Sequence, residues 1–80
     1  MSQYTQNDLP LDLHHGEVLS LADQTTIRFE SNGEAKDVMV NDSFAPTVTL
    51  FPGNEYVVRA SDGEYRLTCT FEDCMRVEKM

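Results

Sequence analysis

Residues 47–71 constrain the fold more than any other stretch. They read TVTLF-PGN-EYVVRA-SDG-EYRLTCTF, three runs of β-forming residues parted by two turn triplets. In the last run Tyr65, Leu67, Cys69 and Phe71 alternate with Arg66, Thr68, Thr70 and Glu72. Successive strand residues point to opposite faces, so this alternation specifies a strand with one buried face and one wet face. Proline presets φ, and glycine or asparagine accepts positive φ, so Pro52-Gly53-Asn54 and Ser61-Asp62-Gly63 read as turns.

The rest of the chain repeats this grammar. Leu9, Leu11 and Leu13 alternate with Pro10, Asp12 and His14. Pro10 cannot donate to a ladder, which places this run at an edge or a strand start. Val18 to Leu21 is a second apolar run, and residues 25–30 put Ile27 and Phe29 on one face. Asn32-Gly33 is the preferred pair for a type I′ hairpin, and residues 35–40 return with Val38 and Val40 inward. The longest internal loop spans residues 41–46. Beyond Phe71 the pattern is compatible with two forms. One is a short helix with Glu72 and Arg76 paired one turn apart; the other is a strand running on through Met75 and Val77.

Short strands at this spacing specify an all-β fold: a small antiparallel β-sandwich or partly open β-barrel of about seven strands. The expected core is Leu11, Leu13, Leu19, Leu21, Ile27, Phe29, Val38, Val40, Val48, Leu50, Tyr56, Val58, Leu67, Cys69 and Phe71. Residues 1–8 are polar and aperiodic and read as a flexible arm, with Tyr4 the one residue suited to anchor it; residues 9–80 make one domain. A chain of 80 residues forms only a modest core.

Charge bears on partners. Fourteen acids face six bases, for a net charge of -8. A field of this sign repels nucleic acid and anionic membrane and favours basic protein surfaces. The N-terminal residues lack the basic and apolar regions of a signal peptide, and the expected location is the cytoplasm. No glycine-rich phosphate loop is present. Ser20 and Ser61 have no base placed beside them in the pattern, so no catalytic site and no cofactor are expected.

Two readings of function follow. The leading one is a non-catalytic, acidic protein-binding module of the kind that phages and mobile elements use as inhibitors. It would dock on a basic, nucleic-acid-binding surface of a partner protein through Glu30, Glu34, Asp37 and Asp42, with Phe44 and Phe51 as aromatic anchors. The alternative is a small metal- or ligand-binding β-barrel. Its handles would be His14, His15, Cys69 and Cys74, which are ligand types that suit Zn²⁺. On one extended strand Cys69 and Cys74 would stand roughly 16 Å apart on opposite faces, which forbids a disulfide unless the chain turns sharply after Phe71. Self-association is a third route, by way of the edge near Pro10 or exchange of the C-terminal segment.

Overall fold

The computed structural model describes residues 3–41 and 44–80. Within them lie nine strands: β1 (Gln3–Thr5), β2 (Leu11–His14), β3 (Val18–Ser20), β4 (Thr26–Asn32), β5 (Ala35–Val40), β6 (Val48–Leu50), β7 (Glu55–Ala60), β8 (Gly63–Cys69) and β9 (Cys74–Lys79). They form two sheets, ordered β1-β3-β4-β5-β6 and β2-β9-β8-β7. This is a small β-sandwich, as the alternating runs require.

The inward residues of the two sheets meet in one core. Leu13, Leu19, Ile27, Val38, Tyr65, Leu67, Met75 and Val77 are fully buried there. Each such side chain contributes roughly 1.5–3 kcal/mol by leaving water. The outer face of the four-stranded sheet is laced by cross-strand charges. Arg76 meets Asp12 at 3.3 Å, Arg66 meets Glu78 at 3.3 Å and Glu55 at 3.7 Å, and Arg59 meets Glu64 at 3.2 Å. Opposite charges facing one another across strands support the register.

Two elements extend the expected seven strands to nine. Residues 3–8 are not a loose arm. β1 pairs with β3, and this pairing is parallel in a fold otherwise antiparallel. A turn of 3-10 helix (Gln6–Asp8) follows, closed by a capping box between Thr5 and Asp8. Tyr4 fixes this segment by donating its hydroxyl to Glu17 at 3.0 Å.

The C-terminal segment is a strand rather than a helix. β9 lies between β2 and β8, with Met75 and Val77 in the core. A helix would have paired Arg76 with Glu72, whereas in the sheet Arg76 reaches Asp12. The β4–β5 turn also differs from expectation by one residue. Asn32 pairs with Ala35, so the two loop residues are Gly33 and Glu34. Gly33 takes the positive φ, 64°, as the first loop residue of a type II′ turn does. Asn32 instead donates its side chain to Asp37 at 3.4 Å.

Phe71 departs most from the expected core. β8 stops at Cys69, and the chain turns before Phe71 can continue the alternation. Its side chain is 90% exposed. The turn is built by Thr70, whose hydroxyl donates to the Cys74 carbonyl at 2.7 Å and accepts the Glu72 N–H at 3.2 Å. Of the other expected core residues, Leu11, Val40, Val48 and Tyr56 pack against the core while only partly buried.

Among the described residues one charged side chain lies inside. Lys36 occupies the inward phase of β5 with Val38 and Val40 and is 4% exposed. Its Nζ donates to the carbonyl oxygens of Thr70 at 3.1 Å and Glu72 at 2.9 Å, and stands 3.6 Å from Cys69 Sγ. The Phe29 ring centroid lies 5.9 Å away. An ammonium has three donors, and these three acceptors use them. The bonds join the β8–β9 turn of one sheet to β5 of the other.

The opposite end of the sandwich carries a second tie. Buried Tyr65 donates its hydroxyl to Asp62 at 2.6 Å, and Lys79 lies 3.7 Å from the same carboxylate. Asp23, in the loop before β4, accepts the Ser61 N–H at 3.0 Å. Burial, and then the Asp62 carboxylate, push the Tyr65 phenol up to about 12.

Two outcomes follow. Lys36→Met removes the shortest hydrogen bond to each of two turn carbonyls and lowers unfolding free energy by roughly 1–3 kcal/mol in urea titrations. Tyr65 is stabilised as the neutral phenol, so its contribution is intact below pH about 10, the ordinary tyrosine value, and drains as pH rises towards about 12. In thermal melts across that window, the wild type will lose stability more steeply than Tyr65→Phe.

Candidate functional site

The end of the sandwich closed by Lys36 gathers four turns: those after β2, between β4 and β5, between β6 and β7, and between β8 and β9. A cavity of about 200 Å³ opens among them, lined by Ser31, Glu34, Lys36, Pro52, Phe71, Glu72 and Asp73 with the backbone at Gly33 and Ala35. A shallower depression of about 530 Å³ adjoins it, with Ser31 and Asp73 shared between the two and His14 and His15 on its far side.

Elsewhere the bases are paired, and most carboxylates have a base or a hydrogen-bond donor. Among the described residues Arg28, Arg59, Arg66, Arg76 and Lys79 each stand within 4 Å of a carboxylate. Asp8 caps the 3-10 turn, Asp23 accepts backbone N–H groups, and Asp37 accepts the Thr49 hydroxyl at 2.8 Å. Glu34, Glu72 and Asp73 have no basic partner among the described residues, and all three line the cavity. Beside them Phe71 is almost wholly exposed and Phe51, next to Pro52, is 58% exposed. The arrangement offers carboxylate acceptors and an aromatic face together, a surface suited to cationic side chains.

The residues nominated from sequence divide between this end and other places. Glu34 and Phe51 lie at it. Glu30 and Asp37 face each other across β4 and β5 on the outer face of the five-stranded sheet, where Glu30 is held by Arg28 at 3.4 Å. Phe44 is fully exposed, but it sits in the loop before β6 whereas Phe51 follows that strand, so the two rings mark opposite ends. Asp42 lies outside the described residues.

The four metal-ligand candidates are not assembled. Cys69 pairs with Met75 in register and turns into the core, which puts Cys74, the residue before Met75, on the other face of β9, where it is buried beside Thr70. His14 pairs with Cys74, but its ring engages Glu17, with Nδ1 3.4 Å from Oε1. His15 packs edge-on to Phe29 at 6.4 Å. Both cysteines are free thiols. Among the described residues no three His, Cys, Asp or Glu side chains converge as a metal would need.

Sequence reasoning missed Lys36, Phe71, Glu72 and Asp73. Lys36 was detectable, because it shares the parity of Val38 and Val40. The other three depend on a turn that contains neither glycine nor proline, the usual punctuation.

No family model matches the chain, and no curated protein or solved structure matches it either. Among the described residues no helix is long and apolar enough to cross a membrane.

Glu17, beneath His14, carries a testable pH signature. Burial raises its carboxyl, but the His14 backbone N–H at 2.7 Å, the Tyr4 hydroxyl and the His14 imidazole together hold it below its ordinary value. Its stabilisation is therefore present above the ordinary value of 4.5 and is lost as pH falls through the lower, folded one. Acid titration monitored by circular dichroism should show Glu17→Gln less stable than wild type at neutral pH, with the gap closing in strong acid.

Proposed function

We propose that this chain is a non-catalytic binding module that docks on a basic protein surface through its Lys36 end. The observation that carries this reading is the coincidence of Glu34, Glu72 and Asp73, all without basic partners, with exposed Phe71 and Phe51 around one cavity. Solvent-facing aromatics ringed by polar groups are the usual anchors of interfaces. Uncompensated carboxylates speed encounter with a cationic partner and set its orientation. A net charge of -8 extends that attraction over the whole molecule.

A partner surface of this charge is commonly one that binds phosphate backbones. Occupying it would exclude nucleic acid, and so this module would act as an inhibitor by occlusion. Glu30 and Asp37 contribute to the long-range field, not to the contact. Phe44, at the other end, is no part of the contact.

The test uses affinity capture from host lysate at low salt, followed by binding measurements on the captured protein. Glu34→Lys/Glu72→Lys/Asp73→Lys should weaken binding by about tenfold or more, and Phe71→Ala by a comparable factor. Glu30→Lys should change it little. Duplex DNA should compete with the wild-type chain for the partner. Unchanged affinity in the triple variant would sink the proposal.

A further inference from the structure

The four sheet edges of this sandwich are unequal. β1 and β6 bound the five-stranded sheet and have three residues each. β2 bounds the other sheet with four, and β7 is the longest edge, with six residues and no proline. β9 is central, so the C-terminal segment offers no edge, and Pro10 precedes β2 without entering it.

The hydrogen-bond phase of β7 is fixed by its partner. Cys69 donates to the Asn54 carbonyl at 3.0 Å, in the same register that pairs Tyr56 with Leu67, Val58 with Tyr65 and Ala60 with Gly63. Bonded pairs alternate with non-bonded ones in an antiparallel ladder. Residues 54, 56, 58 and 60 therefore bond to β8, and the backbone N–H and C=O groups of Glu55, Val57 and Arg59 point away from it. Among the described residues those groups make no hydrogen bond outside the sheet. An edge of this kind is a template for another strand.

The edge is also complementary to itself. Rotated by a two-fold axis through Val57, β7 meets a second β7 antiparallel, and the register brings Val57 opposite its own copy. Glu55 then faces the second copy's Arg59, and Arg59 faces the second copy's Glu55. These are the three residues whose backbone groups point outward, so each facing pair is a bonded pair. Opposite charges placed so are favourable, and like charges in the same place are not. Val57 is 39% exposed and would be covered. On the inner side Tyr56 comes beside the second copy's Val58, where an apolar cleft of about 590 Å³, lined in part by Val40, Tyr56 and Val58, opens along this edge. The existing partners of the two charges leave them available: Arg59 holds Glu64 from an exposed position, and Glu55 stands 3.7 Å from Arg66.

We infer that the chain forms a two-fold dimer by pairing β7 with β7, joining two four-stranded sheets into one. The interface is isologous, so it closes without leaving a β7 edge for a third copy. The inference is independent of the acidic end, which lies on the turns and not on this strand.

Sedimentation equilibrium over a wide concentration range tests it, with circular dichroism melts to verify folding. The wild type should be a dimer. Val57→Pro removes one outward N–H and none that bonds to β8, and proline is tolerated at an edge; it should be a folded monomer. Glu55→Arg and Arg59→Glu should each raise the dissociation constant by roughly tenfold or more, and the double exchange Glu55→Arg/Arg59→Glu should restore dimerisation. Amide exchange at Glu55, Val57 and Arg59 should slow with rising concentration, while Tyr56 and Val58 stay unchanged. A wild type monomeric at every concentration overturns the inference. So does a dimer that survives Val57→Pro, or two single reversals that the double exchange does not rescue.

Discussion

The hydrogen bonds from Lys36 to the Thr70 and Glu72 carbonyls, at 3.1 and 2.9 Å, are the contact on which the acidic end of the sandwich depends. A buried ammonium is tolerated only where its donors are satisfied. Here the acceptors belong to the turn between β8 and β9, so solvating the charge and shaping the turn are one event. The turn in turn swings Phe71 outward and sets Glu72 and Asp73 on the cavity rim. Thr70 builds the same turn from within, and Lys36 ties it to the opposite sheet.

The rest of the sandwich is balanced around this end. The outer face of the four-stranded sheet pairs its arginines with carboxylates across strands, and the far end is closed by Tyr65, Asp62 and Lys79. The net negative charge is therefore not spread evenly in effect. Where arginine and carboxylate meet, their fields cancel at short range. Where Glu34, Glu72 and Asp73 share one cavity with the single cation of Lys36, an excess of negative charge remains.

How much was legible in the sequence follows from what sets each feature. Strands such as β4 and β8 were plain, because inward Ile27 and Phe29, or Tyr65, Leu67 and Cys69, recur at period two. The β4–β5 and β7–β8 hairpins were plain because glycine marks them, although Gly33 rather than the Asn-Gly pair governs the first. β9 was ambiguous because six residues of mixed charge and apolarity fit either period, and only the long-range pairing with β2 decides. The site was half legible. Glu34 and Phe51 follow from turn positions, whereas Phe71, Glu72 and Asp73 require knowing that a lysine 34 residues from Thr70 holds the turn. Such a contact leaves no local trace. The parity of Lys36 was its one visible sign.

The place of β9 in the sheet has a consequence for how the chain is made. β2 and β8 both bond to β9 and to no common neighbour besides. On the ribosome, the β4–β5 and β7–β8 hairpins can close as soon as their residues emerge, since their contacts are local. β2 emerges early and then waits for residues 74–79, with Leu11 and Leu13 on a strand that has no ladder to join. The four-stranded sheet thus gains its N-terminal strand last, once β9 has joined β8. During that interval β2 presents an unpaired backbone to whatever surrounds it, so the arrival of β9 closes the fold and removes that exposure together.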